Sequence, residues 1–292
     1  MIKPLNALAL TSALKREVTA HKGDCGKVLL IGGAQSMAGA LTLSAQSALY
    51  SGAGWTVLMM LDGACAHLNS QHPEFMIHDA QCITPEEALR AIQPDVVAIG
   101  PGLGQSELAH RWLSSCLRWS GSLIVDADAL NLLASDPALL ACLQNRTHDT
   151  ALTPHPGEAA RLLACSVHDI QLNREKAIRQ LTELSRCIVV LKGHQSLIHA
   201  PHVDVQMCNQ GNPGMAVGGM GDVLTGCIAA LAAQGVRHHL SLWDATCLGV
   251  QVHASAADWM LKDGKGPIGM TPSELVLYIR QVLNHALQHT KP

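Results

Sequence analysis

Residues 209–235, NQGNPGMAVGGMGDVLTGCIAALAAQG, decide how this chain is read. Gly211, Gly214, Gly218, Gly219 and Gly221 fall within eleven residues directly before Asp222, and an apolar, small-residue helical pattern continues from there to Gly235. Glycines permit tight turns and close backbone approach, so the free amides of the helix start can face an anion, with the helix dipole adding to the attraction. An oxyanion or phosphate is therefore expected near Gly219 and Gly221. Asp222, in the first turn, would stand beside that group and could take a proton from an attacking hydroxyl. A helix cap alone needs one Asp or Ser and not five glycines.

Outward from this segment, short apolar runs alternate with helical patterns. KVLLIGG (27–33) is a strand ending in glycine, followed by a small-residue helix in GALTLSAQSALYSGAG (39–54). TVLMML (56–61) is a second continuous apolar run, and Thr84, Pro85 and Glu87 form a capping box that opens a helix ending before Pro94. DVVAIGPGLG (95–104), SLIVDADAL (122–130), TALTPHPGE (150–158) and CIVVLKG (187–193) repeat one design, an apolar strand whose carboxyl end carries glycine or polar residues. Such runs belong to strands covered on both faces. One helix is expected over 169–185, and another opens at Thr271, Pro272 and Glu274 in a second capping box. The fold class is α/β, a doubly wound and mostly parallel sheet with helices on both faces, and ligands bind at the carboxyl ends of its strands. No composition shift divides residues 1–292, so one domain is expected.

Composition narrows the function. The net charge is −3 and the 20 Lys and Arg are scattered, which leaves no basic stripe for nucleic acid. No run approaches the length of a membrane span, and the N-terminal MIKPLNALALTSALKREV has no small-residue cleavage site, so a soluble, cytoplasmic protein is expected. Ten cysteines without a CxxC pair read as reduced and buried, Cys187 and Cys227 among them. The 16 histidines lack metal spacing. The turn GPGLG does not match GxGxxG, and GGAQSMAGA lacks the Gly-Lys-Ser/Thr of a P-loop, so neither a dehydrogenase fingerprint nor a P-loop is present.

The polar strand ends supply the candidate site. Asp126 and Asp128 lie two apart, and paired carboxylates facing a phosphate commonly hold Mg²⁺ through water, although one of them could cap a helix beginning near Ala129. Glu158 reads as a capping carboxylate, His155 sits in a turn pinned by two prolines where it could touch ligand, and Lys192 ends a buried strand where a cation could meet phosphate.

HKGDCGKVLLIGG, SMAGA (36–40), GPGLG, DADALNLL, LTPHPGE, VVLKG and NPGMAVGGMGDVLTG occur in the order found in ADP/ATP-dependent NAD(P)H-hydrate dehydratases of the ribokinase-like superfamily, and the chain resembles that family from about His21 to Tyr278. The resemblance implies a lyase of metabolite repair. ADP, or ATP, phosphorylates the hydroxyl of the S epimer of hydrated NADH or NADPH, and loss of phosphate restores the dihydronicotinamide. By similarity Asp222 is the base and contacts the hydrated ring, and Gly219 and Gly221 belong to the anion hole. Ala40, Gly102 and His155 would bind the hydrated dinucleotide, while Lys192, Gly193, His194, Gln195, Ser196 and Gly221 would bind the nucleotide. Mg²⁺ is the expected companion of the nucleotide, with no direct protein ligand assigned. Met220 stands where many members have Thr, a departure that leaves the backbone amide in place. A homo-oligomer is expected, and the family's epimerase, often fused ahead of this domain, is expected either as a separate protein or to be absent. A small-molecule kinase of the same superfamily, acting on a vitamin precursor or sugar alcohol, is the alternative, and the HPGE segment argues against it. A nucleotide sensor without catalysis is a third reading, and Asp222 weighs against it.

Overall fold

The computed structural model describes residues 1–64 and 72–289. In chain order the elements are β1 (Ile2–Pro4), β2 (Lys27–Gly32), α1 (Ala38–Tyr50), β3 (Trp55–Met60), β4 (Met76–Asp79), α2 (Pro85–Ile92), β5 (Val96–Ile99), α3 (Glu107–Arg118), β6 (Ser122–Val125), α4 (Ala127–Ser135), α5 (Pro137–Gln144) and β7 (Thr150–Leu152). They continue with α6 (Pro156–Leu162), α7 (Val167–Leu172), α8 (Arg174–Ser185), β8 (Ile188–Leu191), β9 (Leu197–His199), β10 (Val205–Met207), α9 (Met220–His238), α10 (Leu242–Lys262) and α11 (Pro272–His289).

The strands form one sheet in the order β1-β10-β9-β8-β7-β6-β5-β2-β3-β4. β9 runs antiparallel to both β8 and β10, and the other neighbours are parallel. Alternate residues of each strand enter different layers, as the pleat requires. Val28 and Leu30 of β2 join the core under α1, α9, α10 and α11, whereas Leu29 and Ile31 join the core under α2 to α8. The expected doubly wound sheet is therefore present, with the order reversing between β2 and β5. There the two glycine turns are stitched together, Gly33 N donating to Pro101 O at 3.1 Å and Ala34 N to Gly102 O at 2.6 Å.

The helix expected over 169–185 is instead two helices. Asn173 lies outside helical space at φ −144° and ψ 76° and caps α8 by accepting from Lys176 N at 3.0 Å. Ser166 and Asp169 form a capping box that opens α7, a start the periodicity did not reveal. The box at Thr84 and Glu87 is present in both directions. At Thr271 only the Glu274 amide reaches the threonine hydroxyl, at 3.3 Å, while the Glu274 carboxylate takes the hydroxyl and not the backbone. Cys187 and Cys227 are buried as expected, whereas Cys82 and Cys165 are exposed and Cys142 is half-buried, and Cys65 lies outside the described residues. Among the described residues no helix is long and apolar enough to cross a membrane.

The start of α9 is fixed sideways by α1. Ser44 Oγ donates to Asp222 O at 2.8 Å and Ser47 Oγ to Val223 O at 2.6 Å, and a Cβ on Gly226 would lie 1.9 Å from Ser44 O. Only glycine fits there, because the obstacle is backbone. Gly226→Ala is expected to lower stability by about 1–3 kcal/mol, since overpacking outweighs the better helix propensity of Ala. A urea titration that finds the variant as stable as the parent would show that the seam yields.

Candidate active site

The glycine segment and α9 meet the ends of β6, β7 and β8 in a cleft of about 720 Å³. One wall is residues 210–222 and the other is Lys192, Gly193, His194, Gln195 and Ser196, with Asp126, His155 and Glu158 at the floor. Gly219, at φ 96°, turns the chain into α9 in a conformation that suits glycine, and a Cβ there would also press on Leu43 and Pro272. The turn has no side-chain cap, so the first amides of α9 are left for a ligand. His253 of α10 backs this turn by donating from Nε2 to Met220 O at 3.0 Å. Burial pushes its pKa down to about 4, so the ring is neutral.

Asp126 and Lys192 form the floor's central pair. β6 ends at Val125, and Asp126 follows as the first residue past the strand, almost fully buried. Its Oδ1 receives Lys192 Nζ at 2.7 Å and its Oδ2 receives the Thr225 hydroxyl at 2.7 Å. Lys192 Nζ also lies 3.9 Å from Glu158 Oε2. Burial pulls the Lys192 ammonium down, but Asp126 and Glu158 outweigh it and leave its pKa raised. Lys192 also packs under the glycine turn, since a Cβ on Gly221 would come 3.1 Å from its Nζ.

Asp222 is partly buried in the first turn of α9, and its carboxylate has no hydrogen-bond partner among the described residues. Burial, then Asp126, Glu158 and Asp128, push its pKa from 3.8 up to about 7, against the pull of Lys192. A carboxylate with that proton affinity, open to a cleft, is suited to accept a proton at neutral pH.

Asp128 does not pair with Asp126 along a strand. Helix α4 begins at Ala127, so Asp128 points elsewhere and accepts Gly104 N at 2.9 Å. Asp126 holds the N-cap position of α4 without capping it, its oxygens being engaged by Lys192 and Thr225. Glu158 does cap α6, accepting the His155 amide at 2.7 Å. His155 Nδ1 accepts from Gly157 N at 2.9 Å, which puts the ring hydrogen on Nε2, 3.1 Å from Glu158 Oε1. Ala40 and Gly102 do not line the cleft. Ala40, in the first turn of α1, faces Gly102 of the turn after β5, where a Cβ on Gly102 would meet Met37 O at 2.6 Å and the Ala40 Cβ at 3.3 Å. His253 and Thr225 escaped the sequence reading, because both lie in helical patterns and only the fold brings them to the glycine turn and to Asp126.

A model of the NAD(P)H-hydrate dehydratase family matches residues 28–281. The chain belongs to the NAD(P)H-hydrate dehydratase family. It is 34% identical to the ADP-dependent (S)-NAD(P)H-hydrate dehydratase of Neisseria meningitidis, over 92% of this chain and 88% of that protein. It is 38% identical to the bifunctional NAD(P)H-hydrate repair enzyme of Escherichia coli over 97% of its own length, but it spans about half of that relative, 52%. Among solved structures it resembles the ADP/ATP-dependent NAD(P)H-hydrate dehydratase of Bacillus subtilis co-crystallised with ATP and Mg²⁺, with a TM-score of 0.82 and 26% identity over 97% of this chain and 98% of that one. The fold is ribokinase-like. For a member of the NAD(P)H-hydrate dehydratase family, the cleft between the glycine turn and residues 192–196 is the candidate active site.

Proposed function

We propose that this chain, as one domain, dehydrates the S epimer of hydrated NADH or NADPH, using ADP, or ATP, to phosphorylate the ring hydroxyl. The observation that carries the reading is Asp222, its carboxylate without a hydrogen-bond partner among the described residues and its pKa pushed to about 7, in the first turn of an uncapped glycine-started helix. Asp222 takes the proton of the hydroxyl while its oxygen attacks the terminal phosphorus, and the amides at Gly219 and Gly221 hold the transferring phosphoryl. The ester then loses phosphate together with a proton from the adjoining ring carbon, restoring the double bond and leaving AMP from ADP. Lys192, Gly193, His194, Gln195 and Ser196 form the nucleotide side of the cleft, and His155, with Ala40 and Gly102 beyond the cleft, would receive the hydrated dinucleotide.

Among the described residues no three or more His, Cys, Asp or Glu side chains are arranged to hold a metal ion. Asp126 and Glu158 already commit oxygens to Lys192, Thr225 and His155. This donor set fits a magnesium ion carried on nucleotide phosphates and water, with little direct protein ligation. When bound, such an ion would neutralise charge on those phosphates.

The deciding assay mixes the S epimer of hydrated NADH with ADP and, separately, ATP. The expected result is recovery of dihydronicotinamide absorbance with equal amounts of phosphate and of AMP or ADP. A stable phosphorylated product would point to a kinase, and no turnover with either nucleotide would sink the reading.

A further inference from the structure

We propose that Arg174, the first residue of α8, is the positioning residue of the nucleotide wall, holding residues 192–196 in the shape that binds a nucleoside diphosphate or triphosphate. The inference rests on reading that wall as the nucleotide side of the cleft. One guanidinium gathers the loop's carbonyls. Its Nη2 donates to Leu191 O at 3.0 Å and to Lys192 O at 3.4 Å, and its Nη1 donates to His194 O and to Gln195 O, the latter at 3.2 Å. The other two carbonyls are occupied as well, Gly193 O by the Ser196 hydroxyl at 3.1 Å and Ser196 O by Cys208 N at 2.9 Å. The amides of Gly193, His194 and Gln195, by contrast, carry no hydrogen bond to another described residue. Acceptors are thus sequestered and donors left over, the polarity that suits the acceptor-rich surface of a nucleotide.

Two further observations set this contact apart from ordinary packing. Gln195 lies at φ 54°, a left-handed conformation that a non-glycine residue keeps only where its surroundings impose it, and Gly193 lies at φ 139°. A Cβ on Gly193 would come 3.2 Å from Arg174 Nη2, so the guanidinium rests directly against the strained backbone. Arg174 also occupies the first turn of α8, where the helix dipole disfavours a cation. Its Nε is buried without a hydrogen-bond partner among the described residues.

The test uses Arg174→Lys and Arg174→Ala in the full chain, with ADP affinity measured by calorimetry and KM and kcat measured in turnover. A lysine reaches fewer of the carbonyls and cannot copy the planar fork. Both variants are expected to bind ADP at least about tenfold more weakly, with kcat and the KM for hydrated NADH changed by less than about threefold. Methylguanidinium is expected to recover part of the affinity of the alanine variant. Trypsin should cut after Lys192 faster in the nucleotide-free alanine variant than in the parent. Unchanged ADP affinity in both variants overturns the inference, as does a lower melting temperature with kcat reduced and affinity intact. A parent protein that binds neither ADP nor ATP overturns instead the functional reading beneath it.

Discussion

Asp222→Asn is expected to lower kcat by about 10²–10⁴-fold while ADP still binds, since asparagine keeps the shape and cannot take the proton. The parent enzyme should show the matching pH profile. Only ionised Asp222 can act as the base, so kcat rises with pH through about 7, the value to which burial and then the neighbouring carboxylates push this group. The effect on stability has the opposite sign. The folded pKa of about 7 lies above the ordinary carboxylate value of 3.8, so between these values the native state binds more protons than the unfolded chain. Stability from this group is full below pH 3.8 and is lost as pH rises to about 7. The asparagine variant escapes that loss and should melt higher than the parent above pH 7, while the two converge in acid. Full activity in the variant, or a rate flat between about pH 6 and 8, would remove Asp222 from the proton transfer.

Asp126→Ala should be the most destabilising change in the site, on the order of 3–5 kcal/mol, because it strands the Lys192 ammonium in a largely buried position and leaves the Thr225 hydroxyl without its acceptor. Lys192→Met should also destabilise, by leaving Asp126, Glu158 and Asp222 without their common cation. The double variant is expected to be more stable than the sum of the singles implies, since the two changes remove one shared interaction. Activity carries a second signature. Asp126 raises and Lys192 lowers the Asp222 pKa, so Asp126→Asn should move the pH profile towards acid and Lys192→Met towards alkali. Chemical denaturation of the four proteins, with additive losses and unmoved profiles, would refute the coupling.

The parallel core was readable because buried strands announce themselves as uninterrupted apolar runs: KVLLIGG, DVVAIGPGLG, SLIVDADAL and CIVVLKG all became central strands. The edge was not readable. β1 contains Pro4, and β9 and β10 are three residues each, too short for periodicity to register. The antiparallel return of β9 therefore came only from the structure, and with it the fact that residues 192–196 form a hairpin turn. In the site, Asp222, Lys192 and the glycine turn were legible because charge or glycine at the end of an apolar run is itself a signal. The roles of Asp128 and Arg174 were not, since Asp128 depends on where one helix begins and Arg174 acts on backbone carbonyls that no side-chain pattern encodes.

The seam between α1 and α9 divides the labour within the cleft. With Ser44 and Ser47 tied to the first turn of α9 and Gly226 pressed on Ser44 O, the wall that bears Asp222 is rigid before any substrate arrives. Little backbone entropy remains to be surrendered there when a ligand is captured.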